Sequence, residues 1–348
     1  MKILVSALEH SANIHLKSVK QYLNDDIEFQ GIFAKELGDP IIDLQTLAIM
    51  GFVDALKKLP FFLKLNNQMV ELAKDVDKVL LIDSSGFNLP LAKKIRKKYP
   101  NKEIIYYILP QAWAWKRKRI PVLEKTITHL ASILPFEKEY YSKTAPIQYV
   151  GHPLLDQIKT FKTTLNSNIE KIAFMPGSRK SEIKNLMPVF KKVAEKLKKE
   201  IFLIIPKHFS QQEISELYGD ITFFKIKHNA HETLLEVDFA FICSGTATLE
   251  ASIIGTPFVL TYIAKPLDYF IASKVVKLQY IGLANIMFKK YKNKTIHPEF
   301  IQEKVTVDNL VNALQEYNCK DFLVNSQLLR EYLQYGSSEN VAKLLLNK

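Results

Sequence analysis

At 348 residues the chain exceeds what one hydrophobic core usually holds, so two domains are expected. A composition that is 47% apolar and 24% charged excludes a disordered or fibrous chain, and two cysteines in unrelated contexts, Cys243 and Cys319, exclude a disulfide framework or zinc spacing and favour a reducing cytoplasm. The net charge of +12 fits an anionic partner, whether nucleic acid, membrane surface or phosphorylated substrate, and equally fits a plain solvated basic surface.

The opening run Met1–Ala7 reads as a buried strand rather than a signal peptide, and no stretch of about 18 uncharged apolar residues predicts a membrane span. Short β-rich runs follow at Ile27–Ala34, Val79–Asp83, Ile104–Leu109, Ser132–Leu134 and Ile147–Val150. Amphipathic helical patterns at Leu16–Leu23, Leu63–Ala73 and Leu89–Lys98 lie between several of them, which predicts a parallel sheet covered on both faces. After a polar linker around Asp156–Asn168 the rhythm restarts, with strands at Ile172–Met175, Ile201–Pro206, Ile221–Ile226, Asp238–Cys243 and Pro257–Tyr262. Helices are expected at Phe190–Lys199 and Ala247–Ile254, and the chain reads as helical after Asp308. The expected architecture is α/β, two doubly wound domains over 1–160 and 161–320, with a helical tail over 321–348 that packs on the first domain or on a second subunit. Ligands in such sheets bind beyond the carboxyl ends of the strands, so a site in the cleft between the domains is expected.

The clearest local pattern is Cys243-Ser244-Gly245-Thr246, where a buried strand runs through a small-residue turn into a helix. Backbone N–H groups at that helix start, with the Ser244 and Thr246 hydroxyls, form an anion site suited to a diphosphate, and Gly245 lets a ligand approach. The alternative is an ordinary turn with Ser244 or Thr246 as N-cap. Glu250, one turn in, can accept hydrogen bonds from ribose hydroxyls. A second such turn, Pro176-Gly177-Ser178-Arg179, offers backbone donors and a guanidinium fork for phosphate oxygens. Neither turn has Walker or dinucleotide-fingerprint spacing.

In the first half two acids stand at strand ends, Glu9 after the opening strand and Asp83 after Leu80-Leu81-Ile82. Either can serve as a general base toward an acceptor hydroxyl; Asp83 can instead cap the following helix. His152, after another strand, can orient phosphate or sugar, or be a satisfied structural histidine. Trp113-Ala114-Trp115 followed by Lys116-Arg117-Lys118-Arg119 suits a phosphorylated sugar, and the absence of an RNA-module signature speaks against nucleic acid. Residues 50–64 mix bulky apolar side chains, among them Phe52, Val53, Leu56, Phe61 and Phe62, with lysines, as an interfacial or acyl-gripping segment does and as a core helix pair does. The basic run Lys93-Lys94-Ile95-Arg96-Lys97-Lys98 can face anionic lipid, or water.

Taken in order, Leu47-Ala48-Ile49-Met50-Gly51, Ile82-Asp83 with Phe87-Asn88, Gln111-Ala112-Trp113-Ala114-Trp115-Lys116, Leu134-Pro135-Phe136-Glu137-Lys138, Gly151-His152-Pro153, Met175-Pro176-Gly177-Ser178-Arg179, Ser244–Glu250 and Pro298-Glu299-Phe300-Ile301-Gln302 resemble the lipid-A-disaccharide synthases along nearly the whole chain. The resemblance implies a GT-B fold and an inverting transfer of 2,3-diacylglucosamine from UDP to 2,3-diacylglucosamine 1-phosphate (lipid X). It also implies peripheral attachment to the cytoplasmic face of a Gram-negative inner membrane, leaves a homodimer open, and calls for no metal or other cofactor. Carried over residue by residue, it makes Gly177, Ser178, Arg179, Ser244, Gly245, Thr246, Glu250, Asn285 and Gln302 donor contacts, and Ser11, Asn88, Trp115, Lys116 and His152 acceptor or sugar contacts. Two departures stand out. The family's Gly-Glu-x-Ser-Gly-Asp opening is here Leu8-Glu9-His10-Ser11-Ala12-Asn13, and the second aspartate of its Asp-x-Pro-Asp-Phe pattern is here Gly86.

Overall fold

The computed structural model describes residues 1–43, 59–264 and 279–347, which divide into two units, Met1–Asp156 with Gln334–Lys348, and Gln157–Leu333. The calls on Leu47–Gly51 and on Phe52, Val53 and Leu56 lie outside the described residues.

The first unit runs β1 (Lys2–Ser6), α1 (His10–Lys20), β2 (Glu28–Phe33), β3 (Ile42–Asp43), α2 (Leu59–Leu72), β4 (Lys78–Ile82), α3 (Ser85–Lys98), β5 (Glu103–Tyr107), α4 (Ile120–Thr126), β6 (His129–Ser132), β7 (Ile147–Tyr149) and α5 (Pro153–Gln157, the last residue falling in the second unit). The second follows with β8 (Lys171–Met175), α6 (Lys180–Lys196), β9 (Glu200–Ile204), α7 (Gln211–Tyr218), β10 (Lys225–Lys227), α8 (Ala230–Glu236), β11 (Phe239–Cys243), α9 (Thr246–Ile254), β12 (Phe258–Tyr262), α10 (Leu283–Lys292), β13 (Glu299–Ile301), α11 (Val307–Gln315) and α12 (Phe322–Leu333). The last helix, α13 (Ser337–Leu346), belongs to the first unit.

All pairings are parallel, in the orders β3-β2-β1-β4-β5-β6-β7 and β10-β9-β8-β11-β12-β13. Successive residues of a strand face opposite sides of the sheet. Leu4, Leu81, Ile104 and Tyr106 therefore pack with α2, α3 and α4, while Ile3, Val5, Leu80, Ile82, Ile105 and Tyr107 face α1 and α13. In the second unit Phe174 stacks on Phe241 across the β8–β11 pair, with centroids 5.1 Å apart, under α6 and α11.

The chain's end closes the second face of the first sheet. Val341, Ala342 and Leu345 of α13 are buried against β1, β4 and β5. Lys78, itself buried at the start of β4, donates to Leu344 O (3.2 Å) and to Asn347 Oδ1, placing a cation at the carboxyl end of α13 where the helix dipole favours it. At the other end Asp156 accepts the Gly336 and Ser338 N–H groups (2.8 and 3.0 Å). Leu345→Ala is expected to destabilise the first unit by about 2–5 kcal/mol through lost burial and the cavity left behind, seen as a lower denaturation midpoint.

Candidate active site

Each sheet has one place where the strand order reverses, between β1 and β4 in the first and between β8 and β11 in the second. Connections leave in opposite directions there, so a crevice opens at the carboxyl ends, and such crevices bind ligands in open α/β sheets. The two acids singled out from sequence follow β1 and β4. The two small-residue turns follow β8 and β11.

Asp83 and Ser84 both hold left-handed backbone, at φ 50° and 41°. Such conformations cost about 1–3 kcal/mol each and persist only where neighbours over-determine them. Here the fully buried Asn88 does so, donating to Ile82 O (3.1 Å) and Asp83 O (2.9 Å) while accepting the Ser6 hydroxyl (2.6 Å). Tyr106 Oη adds a bond to Asp83 O (2.8 Å). The elbow turns Asp83 away from capping: α3 is capped by the backbone at Ser84, with no side-chain cap bond. Asn88, expected to contact the acceptor, instead has its amide engaged in holding the elbow.

Glu9 is exposed at the N-cap of α1 and accepts a hydrogen bond from the Ser84 hydroxyl (3.0 Å), which brings the two acids together. Burial raises the Asp83 carboxyl above its ordinary range, the neighbouring Glu9 raises it further, and the Ser84 backbone N–H opposes both. Ser11 is exposed in the first turn of α1. Leu8 and Ala12, which stand where the family has glycine, are both buried in core. Asn13 donates to Ala7 O and Glu9 O (2.8 Å each) and accepts the Ala34 N–H (2.7 Å), so an amide ties down the loop that carries Glu9. At Gly86 an added Cβ would meet nothing within 4 Å among the described residues.

After β5, Trp115 is 48% exposed with the Lys116 ammonium 3.9 Å from its ring centroid, and Arg119 Nη1 donates to Ser85 Oγ (3.1 Å). Trp113 turns inward, edge-on to Phe136 at 4.9 Å. His152 is buried, with Nδ1 accepting the Leu154 N–H (3.2 Å), and its imidazole is lowered to about 3, first by burial and then by His15. Burial and the lowered imidazole fit the structural one of the two roles open to it.

In the second unit Gly177 has φ +102°, and a Cβ there would lie 2.5 Å from Glu182 Oε2, so the turn requires glycine. The buried Glu182 accepts the Arg179 N–H (3.3 Å) and pairs with its Nη1 (3.1 Å), satisfying the N-cap amide at the start of α6. The rest of the Arg179 side chain is 78% exposed, and Ser178 is exposed beside it. Beneath the turn the Cys243 thiol is pushed up to about 12, chiefly by burial and next by Glu182, and stays neutral.

In the neighbouring turn the Ser244 N–H donates to Thr261 O (3.1 Å), and Gly245 rather than Ser244 or Thr246 is the N-cap of α9, with no side-chain cap bond. Thr246 and Gly245 are exposed there, and an uncapped helix start of this kind attracts anions. Glu250 lies one turn further along, 3.6 Å from His231 Nδ1, and burial raises its carboxyl while His231 opposes the rise. Asn285 and Gln302, expected as donor contacts, have their amides engaged elsewhere. The fully buried Asn285 bonds Glu299 Oε1 (2.8 Å), His297 O (2.9 Å) and the Ile296 N–H (2.8 Å), and Gln302 accepts the Ala264 N–H (2.6 Å).

Phe61 and Phe62 are half-buried against the first core; the exposed apolar side chains at the start of α2 are Leu59 and Leu63, at 53% and 51%. Among the described residues no helix is long and apolar enough to cross a membrane.

Sequence reasoning passed over His231 and named Asn13, Arg119 and Glu137 only as members of longer runs, with no role of their own. Glu137 is fully buried and accepts the Ser132 hydroxyl (2.5 Å) through Oε2, while Oε1 has no partner among the described residues. Burial raises its carboxyl from 4.5 to about 8, the serine bond opposing. The folded state thus holds this proton more tightly than the unfolded chain, so the contribution to stability is full below about pH 4.5 and is lost as pH rises through about 8. Glu137→Gln is expected to gain stability relative to the parent between those limits, read from denaturation midpoints at pH 5 and pH 8.

Two parallel α/β units with ligand crevices at both strand-order reversals define the GT-B class of glycosyltransferases and related epimerases. Solved structures agree on the fold. Acinetobacter baumannii MurG superposes with a TM-score of 0.62 at 13% identity, over 100% of this chain and 99% of that one. The UDP-GlcNAc 2-epimerase of Neisseria meningitidis, bound to UDP-GlcNAc, gives 0.60 at 14% identity over 100% of both chains. Within that class the chain belongs to the lipid-A-disaccharide synthetase family, whose model matches residues 3–343. It is 49% identical over 353 residues to the lipid-A-disaccharide synthase of Helicobacter pylori (strain ATCC 700392 / 26695), covering 98% of this chain and 96% of that protein. The Campylobacter jejuni (strain RM1221) enzyme is 46% identical over 365 residues, covering 98% of each. The chain is accordingly a hexosyltransferase of lipid A disaccharide synthesis.

Proposed function

We propose that the chain joins the 2,3-diacylglucosamine unit of its UDP derivative to the 6-hydroxyl of 2,3-diacylglucosamine 1-phosphate, giving the β-(1→6) disaccharide 1-phosphate and UDP. Family membership across nearly the whole chain carries this reading. An α-linked donor and a β-linked product require inversion, hence a single displacement: the acceptor oxygen bonds to the anomeric carbon as the diphosphate leaves, and a base takes the hydroxyl proton. Asp83 is our base, because a carboxylate raised by burial and a like charge is the stronger proton acceptor, and Glu9 supplies that like charge. Negative charge grows on the leaving diphosphate. Arg179, Ser178 and the N-terminal turn of α9 at Ser244–Thr246 receive it, and Glu250 takes the ribose. Trp115 and Lys116 offer the acceptor an apolar face and a cation. Asn88, Asn285 and Gln302 act by shaping the loops. The chain's own donors supply the charge stabilisation, and no metal is part of the proposal.

Incubation with both lipid substrates should yield a tetraacyl disaccharide phosphate by mass spectrometry, with one UDP per product; UDP release without it would reject the assignment. Asp83→Asn should lower turnover by at least about 100-fold. Turnover of the parent should fall as pH drops through the raised Asp83 value, and Glu9→Gln, which removes a like charge, should move that acid limb to lower pH. An unmoved limb would place the base elsewhere.

We also read the start of α2 as the part that meets the cytoplasmic face of the inner membrane. Leu59 and Leu63 are exposed there, and Lys93 and Lys97 are exposed on the neighbouring α3. Vesicles rich in anionic lipid should pull the protein down, and Leu59→Ser with Leu63→Ser should reduce the bound fraction several-fold while leaving Tm unchanged.

A further inference from the structure

His231 opens the first turn of α8, the helix that follows β10 at the carboxyl edge of the second sheet. Its ring is 30% exposed, and Nδ1 lies 3.6 Å from Glu250 Oε1 on α9. Asn229 fixes its position by capping α8, its side chain accepting the Glu232 N–H (3.3 Å). Glu250 is 19% exposed, on a helix whose N-terminal turn has no side-chain cap, one turn past the residues assigned to the diphosphate. A glutamate in that position has several rotamers, and unless one is fixed, each hydrogen bond to a ligand must also overcome the entropy of ordering it. A neighbour on a separate helix packed against one carboxylate oxygen narrows the rotamers open to the side chain and leaves the other oxygen free to point in a single direction.

We propose that His231 is a positioning residue that sets nucleotide specificity: packed 3.6 Å from Oε1 of Glu250, it limits the rotamers of the carboxylate and orients it toward the ribose hydroxyls, so that discrimination between ribo- and deoxyribonucleotide diphosphates depends on the pair. This rests on the assignment of Glu250 to the ribose, and the experiment separates the two.

Equilibrium binding of UDP and 2′-deoxy-UDP is measured by calorimetry on the full-length protein and on Glu250→Ala, His231→Ala and His231→Asn, with Tm recorded for each. The parent should prefer UDP by about tenfold or more, as hydrogen bonds to a charged group do. Glu250→Ala and His231→Ala should each bring the preference to within about threefold, with UDP affinity falling by more than that of 2′-deoxy-UDP. His231→Asn, whose amide nitrogen falls near the place of Nδ1, should restore much of it. If Glu250→Ala loses the preference and His231→Ala keeps it, the positioning role is overturned and the ribose assignment stands. If His231→Ala weakens both nucleotides equally, the residue is structural and the proposal fails. If the parent shows no preference, or Glu250→Ala retains it, the ribose assignment itself is wrong.

Discussion

A parallel sheet places every strand's carboxyl end on one edge, and a reversal of strand order leaves a gap there that no crossing connection fills. Both sheets of this protein obey that constraint, and every residue assigned here to chemistry on backbone grounds sits beside one of the two gaps. Glu9 and Asp83 flank the first; Gly177–Arg179 and Ser244–Glu250 flank the second. The core serves this geometry. Because alternate residues of β1, β4 and β5 point to opposite faces, each strand end is clamped between two helical layers, and α13 completes one of those layers from the far end of the chain.

Around the gaps, shape is held by buried amides. Asn13, Asn88 and Asn285 are almost wholly inaccessible: Asn13 ties the Ala7–Glu9 backbone to Ala34, Asn88 joins the Ile82–Asp83 backbone to the Ser6 hydroxyl, and Asn285 joins the Ile296–His297 backbone to the Glu299 carboxyl. A carboxamide suits this task because it donates and accepts at once and carries no charge to desolvate, whereas a buried carboxylate can only accept and is penalised for its charge. Glu137 illustrates the penalty: confined in the core with a single hydroxyl partner, it is raised to about 8. The same desolvation acts usefully at Asp83, where partial burial beside Glu9 makes a carboxylate more basic without removing it from the surface of the crevice.

Much of the fold was legible in the sequence because continuous apolar strands and amphipathic helices obey strong periodicities, and the strands seen at Lys2–Ser6, Lys78–Ile82 and Phe239–Cys243 lie within a residue or so of their predicted runs. Elements with weak signals escaped. β3 has two residues and β13 has three, all partly exposed, and their pairing is fixed by neighbours rather than by propensity. The run Ser132–Leu134 is apolar enough for a strand, but β6 ends at Ser132, whose hydroxyl bonds Leu134 and Glu137 and turns the chain into a buried loop. Helix α6 begins at Lys180, well before the expected Phe190, where Glu182 accepts the Arg179 N–H and pairs with its guanidinium. In the site, turns and acids at strand ends were legible as motifs. The roles of Asn88 and His231 were not: Asn88 was marked by its motif as an acceptor contact, but its bond to Ser6 spans 82 positions, and no local pattern marks His231, 19 positions from Glu250.

The two departures from the family pattern have different physical standing. Leu8 and Ala12 fill core space, and Asn13 ties the same loop to Ala7, Glu9 and Ala34, so rigidity that glycines and an aspartate would supply through close turns comes here from packing and an amide. That exchange leaves Glu9 at the N-cap of α1 and within reach of Ser84, and so preserves what the crevice needs. Gly86 is different. An added Cβ there would meet nothing within 4 Å among the described residues. What remains at this gap is a pair of acids, one exposed and one partly buried, in which the charge of the first raises the proton affinity of the second. In the proposed reading these two acids act as a coupled pair: burial first and the Glu9 charge second raise the Asp83 carboxyl, the direction that general-base catalysis of hydroxyl attack favours.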